Sequence, residues 1–310
     1  MPPRISARVW RPILCGLVAA TLSTLESAPK PNEARDFDQV WFAARDLWAG
    51  RSPYRDIGPG RTFEWPWPFV YPLTAPVSVL PVAALPRATA RHLFVGVSVG
   101  LLALAFHGRP LLPIVVSAPF VSAFWNAQWS IILTAAMLLP WLGWIGAAKP
   151  TLGVALLAQA RSKRQVQIAI LGGLVLLLIS LALRPEWPRE WLAVLHEGPR
   201  FIPPVLRPGG FLLLAAALRW REPEGRLMLA LALTPQTAMW YEALPVFLIP
   251  RNLAEGTILT FASQLAYFST ELFPVPAEWP EQTRAIGILM LVGIYLPALA
   301  LLLARKRVDR

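Results

Sequence analysis

Apolar runs of bilayer length recur along the chain, and no other feature limits its possible folds so sharply. They cover residues 9–25, 88–106, 111–125, 129–160, 166–183, 201–218, 227–249, 257–272 and 285–304. Hydrocarbon offers no water to backbone N–H and C=O groups, so a run that crosses it does so as a helix. A composition of 55% hydrophobic and 15% charged residues in 310 is too apolar for a soluble domain of that size. The expected fold is all-α, a polytopic membrane helical bundle of about ten spans, with 1–310 as a single membrane-embedded domain. The first run follows Arg4, Arg8 and Arg11 and reads as a retained signal anchor, with Ala19-Ala20-Thr21 as a weak cleavage alternative. The 129–160 run is too long for one span and short for three, which implies a broken or re-entrant segment.

The net charge of +11 is not spread evenly. Placing the N-terminus, the turns 107–110, 161–165, 219–226 and 251–255, and the C-terminus on one side puts the whole excess there. Short basic turns mark the cytoplasmic face. Both termini are therefore expected in the cytoplasm of a multi-pass plasma-membrane protein, with the 26–87 and 184–208 loops outside. The basic charge is then topological, and membrane lipids rather than nucleic acid are the expected surroundings. A lone Cys15 inside the first run excludes a disulfide framework. His92, His107 and His196 have no metal-ligand spacing, no phosphate-binding Gly-rich loop occurs, and neither metal nor cofactor is expected.

The first outer loop opens with Phe37, Val40, Trp41, Ala44, Leu47 and Trp48 at steps of three and four, one face of an amphipathic helix. Asp36 stands where an N-cap belongs, Gln39 completes a capping box, and Gly50 with Ser52-Pro53 ends the helix. Trp65, Pro66, Trp67, Pro68, Phe69, Tyr71 and Pro72 follow. Such rings suit a membrane interface and equally a site where they stack on sugars. In the second outer loop Trp187, Trp191 and Leu195 repeat at four-residue spacing.

Charged groups within apolar runs are costly and default to functional candidates. Lys149 precedes Pro150, so it sits at a helix start or break, either snorkelling to one face or contacting an anion such as a phosphate. Glu242 ends a Pro-broken polar run, 234–242, whose exposed backbone is tolerated at depth only beside a cavity. Asn126 and Gln128 form a polar break that either satisfies loop backbone or meets a ligand.

Together these pieces resemble a known family. Asp36-Phe37, Ala43-Ala44-Arg45, Gly50 and Pro53-Tyr54 resemble the opening loop signature of glycosyltransferase family 87, polyprenyl-phosphate-mannose-dependent mannosyltransferases of the C-type superfamily. Tyr71-Pro72 with Pro76 is similar to its Tyr-Pro-Pro segment, and Asn126-Ala127-Gln128 to its Asn-Gly-Gln turn. Lys149-Pro150 is similar to its Lys-Pro turn, and Pro235 with Trp240-Tyr241 to its late Pro…Trp-Tyr/His segment. Leu73 and Ala127 depart from the pattern, where the family has Pro and Gly. The resemblance implies an inverting membrane hexosyltransferase that moves mannose or a similar sugar to a lipid or glycan acceptor on the non-cytoplasmic face. The donor is a polyprenyl-phosphate sugar. An aspartate in the first outer loop, Asp36 or else Asp38, is the implied general base. Lys149 and Arg55 would meet the donor phosphate, with Tyr71, Asn126, Gln128, Trp240, Tyr241 and Glu242 lining the substrate. The alternatives are a lipid or solute transporter or flippase, and a catalytically inactive relative.

Overall fold

The structure, a computed structural model, describes residues 7–30, 32–198, 201–273, 275–276 and 278–305. Arg4, Lys306 and Arg307, used above for orientation, lie outside the described residues. Helix dominates, and the only strands among the described residues are the two-residue pair Ile57–Gly58 and Phe63–Glu64. Three described helical segments are long and apolar enough to cross a membrane: Arg87–Ala105, Lys163–Leu183 and Glu281–Leu303. Further outward-facing apolar stripes run along Ala7–Ser27, through Leu14, Leu17 and Leu25, and along Leu253–Leu272, through Phe261, Leu265 and Phe268.

Several of the apolar runs are not continuous α-helices. The 129–160 run breaks into the helix Ser130–Ala136, a 3-10 helix Pro140–Ala148 and the helix Pro150–Ala158. Pro140 and Pro150 each remove a backbone donor where one piece gives way to the next. The 201–218 run holds the 3-10 helix Gly210–Arg219, and the 227–249 run divides into Pro223–Leu233 and a 3-10 helix Trp240–Leu248 containing Pro245. A 3-10 helix rises about 2.0 Å per residue, so these short pieces reach further than their residue number suggests.

The contacts gather the chain into two compact units. The first comprises Met1–His107, Phe124–Gly153 and Lys163–Arg200. In it, Ala7–Ser27 packs along Arg87–Ala105 through glycines. A Cβ on Gly16 would stand 2.8 Å from the Gly96 carbonyl oxygen, and one on Gly100 would stand 3.0 Å from the Pro12 oxygen. Small residues let two backbones approach where lipid gives apolar side chains no preference for each other. Ser23 Oγ and His92 Nδ1 add a hydrogen bond of 2.9 Å between the same helices. Likewise Gly172 leaves room for Trp144, so that Lys163–Leu183 lies against Pro140–Ala148.

The amphipathic helix forms as Asp36–Trp48. Phe37, Val40, Trp41, Ala44 and Leu47 are buried, Phe37 stacks on Phe94 at 4.4 Å, and Trp41 Nε1 donates to the Leu85 carbonyl at 3.1 Å. Trp48 is exposed, but Asp38, Gln39, Ala43 and Asp46 on the other side are buried too, so the helix is enclosed on most of its circumference. Its end is the expected one. Gly50 takes φ +69° and the Arg51 N–H reaches back to the Asp46 carbonyl at 2.8 Å, a left-handed glycine stop. Its start is not: Arg35, in extended conformation, is the N-cap, and Asp36 is the first helical residue. The Asp38 carboxylate, not Gln39, accepts the Arg35 backbone N–H at 3.0 Å.

Within this unit the 26–87 segment meets residues 184–191. Glu190, on the helix Trp187–Leu195, accepts from Arg184 at 2.5 Å and from Ser52 at 2.9 Å, and Trp191 Nε1 donates to the Val70 carbonyl at 2.9 Å. Arg184, Ser52 and Arg55 together hold the Glu190 carboxyl below the usual glutamate range, Arg184 most strongly.

The second unit comprises Gly108–Ala123, Val154–Ser162 and Phe201–Arg310. Gly293 admits Ala266, placing the Glu281–Leu303 segment against Leu253–Leu272. Its polar turn at 234–242 is pinned by antiparallel pairing of Ile202 with Gln236.

Candidate active site

Asp36 and the polar break near residue 126 lie far apart in sequence and adjacent in space. The Asp36 backbone N–H donates to the Asn126 carbonyl at 3.1 Å, and Gln128 Nε2 hydrogen-bonds the Asp36 carboxylate. Gln128 is buried, and its Oε1 has no protein partner. The turn that delivers Gln128 is strained: Ala127 between them has φ +49°. A left-handed alanine costs about 1–2 kcal/mol, and this is the position where the resembled family carries glycine. Asp36 is half-buried.

Asp38 is in a different environment. The alternative base is fully buried against Arg91 Nη1 at 3.1 Å, with Arg87 Nε at 4.0 Å. Burial pushes its carboxyl above the ordinary aspartate range, and Arg91, the Arg35 N–H and Arg87 pull the other way. Arg91 is itself buried, with Nε and Nη2 unpartnered. Sequence reading passed over Arg87 and Arg91. The signal was there, since two arginines at i and i+4 on the first turns of an apolar run share one helix face.

The other first-unit candidates have separate surroundings. Tyr71 is buried, its ring 5.8 Å from Phe69 and its carbonyl accepting from the Tyr54 hydroxyl at 3.1 Å. Phe69 also meets Tyr54 at 5.7 Å, and Phe63 meets Phe42 at 4.9 Å, so much of the aromatic loop packs on itself. Arg55 is largely exposed and contacts Glu190 at 3.5 Å, sharing it with Arg184. Lys149 sits at the break between the 3-10 helix and the helix from Pro150. Its carbonyl accepts from Leu152 and Gly153, and it is half-buried.

Trp240, Tyr241 and Glu242 belong to the second unit and are all buried. Glu242 accepts from the Thr237 hydroxyl at 3.2 Å, and Trp240 meets Tyr267 edge-on at 5.4 Å. The turn before them carries a second left-handed alanine, Ala238 at φ +59°. Gln236 accepts from the Tyr295 hydroxyl at 2.8 Å. Non-glycine residues held in this region gather where function or packing over-determines the backbone, and both polar turns singled out in the sequence hold one.

Among the described residues no group of three His, Cys, Asp or Glu side chains could hold a metal ion. No family model, curated protein or solved structure matches the chain.

Proposed function

We propose that the chain is a multi-pass glycosyltransferase of the C-type architecture, related to glycosyltransferase family 87. It would lie in the plasma membrane with about ten crossings, short and broken ones included, and with both termini cytoplasmic. It transfers mannose or a similar sugar from a polyprenyl-phosphate donor to a lipid or glycan acceptor on the outer side. The observation that carries this reading is the joining of two motifs of the resemblance, 90 residues apart, at one carboxylate: Asp36 bonded by Gln128 and resting on Asn126.

The chemistry follows from that arrangement. The acceptor hydroxyl loses its proton to the Asp36 carboxylate as its oxygen bonds to the anomeric carbon. The bond from that carbon to the phosphate oxygen breaks, its electron pair leaves with the polyprenyl phosphate, and the anomeric centre inverts. Asp36 suits the base better than Asp38, whose carboxylate is committed to Arg91 and to the Arg35 N–H. Lys149 is the preferred cation for the departing phosphate, because Arg55 is exposed and shares Glu190.

The test is transfer of labelled sugar from polyprenyl-phosphate donors into lipid or glycan, using membranes that contain the chain. Asp36→Asn keeps an acceptor for the Gln128 amide but cannot take a proton. It should fold normally and lose transfer by at least about a hundredfold. No transfer from any such donor, or an active Asp36→Asn variant, would overturn the reading.

A further inference from the structure

At one end of the second unit the basic turns converge. Arg109 donates to the Leu248 carbonyl at 3.5 Å, Arg161 pairs with Glu224 at 2.8 Å, and Arg251 pairs with Glu222 at 3.0 Å. Arg226 donates to the Ala158 and Ala160 carbonyls at 2.6 and 3.0 Å, and Arg219 to the Leu303 carbonyl at 2.9 Å. Arg305 reaches the Ile249 carbonyl and Glu255. Much of this is capping: helix ends present unsatisfied carbonyls, and cations there are favoured.

Capping does not use all the positive charge. Glu222, Glu224 and Glu255 are the only carboxylates paired with these arginines among the described residues. Arg305 is the clearest surplus. Its side chain is 8% exposed, yet Nε and Nη1 are buried with no hydrogen-bond partner. A buried guanidinium with two idle nitrogens is unfavourable unless an acceptor arrives. Arg109 reports the same imbalance. Burial, then the charges of Arg161, Arg251 and Arg305, push it below the usual arginine range, with Glu224 alone opposing them. The rim is apolar and aromatic: Leu218, Trp220 and Leu253 are exposed, and Arg221 lies over the Trp220 ring at 5.7 Å. Tryptophan beside arginine at the end of apolar helices is the composition of a headgroup layer.

We propose that Arg109, Arg161, Arg251 and Arg305 form a binding site for the phosphate of an anionic phospholipid headgroup. The half-exposed Arg161 and Arg251 guanidiniums can donate to a phosphate's acceptor oxygens, with the buried Arg305 charge behind them, and the exposed Leu218, Trp220 and Leu253 favour a ligand with acyl chains over a free anion. The site serves the whole fold and does not depend on the transfer chemistry proposed above.

The experiment is thermal unfolding of the purified full-length chain in detergent, with added phosphatidylglycerol, phosphatidylcholine or inorganic phosphate. Phosphatidylglycerol at a hundredfold excess over its Kd should raise Tm by roughly 4 °C. Phosphatidylcholine and inorganic phosphate should give much smaller shifts. Arg251→Gln, altering a half-exposed side chain, and Arg109→Gln should remove most of the phosphatidylglycerol shift while leaving Tm in phosphatidylcholine close to the parent's. Arg305→Gln should do the same, and if it fails to fold the other two variants decide. An equal shift from phosphatidylcholine means bulk lipid only and overturns the proposal. So does an equal shift from inorganic phosphate, or a phosphatidylglycerol shift that survives both Arg251→Gln and Arg109→Gln.

Discussion

A carboxylate in a protein interior costs several kcal/mol unless a cation and hydrogen bonds compensate it, and Asp38 has both, from Arg91 and the Arg35 N–H. Its neighbour two residues earlier keeps a half-buried carboxylate beside Gln128. The difference yields a stability test. Arg91→Met leaves the buried Asp38 carboxylate with only the more distant Arg87 as a cation and should cost about 3 kcal/mol. Adding Asp38→Asn should restore more than half of that loss, because the asparagine oxygen still serves the Arg35 N–H. The measurement is a double-mutant cycle on unfolding in detergent. Single-variant costs below about 1 kcal/mol would mean that the pair is solvated and not structural.

At the level of elements, the contact between Ala7–Ser27 and Arg87–Ala105 is set by glycines. A Cβ at Gly96 would meet the Gly16 oxygen at 2.9 Å and the Ala20 Cβ at 3.0 Å. Gly96→Val should therefore push the helices apart and destabilise by about 1–3 kcal/mol, read as a lower Tm in detergent. Because Arg91 and His92 lie one turn before Gly96 on the same helix, the shift should also loosen the Ser23–His92 bond. An unchanged Tm would show that the pair has slack to absorb a side chain. The 3-10 pieces teach a related lesson. Trp129–Ala160 was legible as a broken run from its length, but apolar composition alone does not distinguish a 3-10 from an α-helical hydrogen-bond pattern.

For the molecule as a whole, turns sorted by charge gather within each unit. The segments 26–87 and 184–198 join through Glu190 and Trp191 in the first unit, and the basic turns join through Arg161, Arg226, Arg251 and Arg305 in the second. Orientation is then a single question for each unit. Ser52 is a poor probe, since it is buried under Glu190, whereas Thr62 and Ser162 are exposed. In a chain with Cys15→Ala, Thr62→Cys should react with an impermeant maleimide in intact cells. Ser162→Cys should react only after permeabilisation. The reverse pattern would invert the orientation and move Asp36 to the cytoplasmic side.

Sequence alone determined that the chain is helical and apolar on a membrane scale, where the Asp36–Trp48 helix runs, and that Gly50 stops it. Those properties are written in periodicity, local backbone preference and charge order, which neighbouring residues carry between them. It also picked out 126–128 and 234–242 as unusual. Only the tertiary structure decided that Asn126 and Gln128 serve Asp36, that Arg35 and not Asp36 caps the helix, and that Asp38 is enclosed with Arg91. The physical reason is that a carboxylate's role depends on what surrounds it, and for Asp38 and Asp36 those surroundings come from a helix and a turn 53 and 92 residues further along the chain.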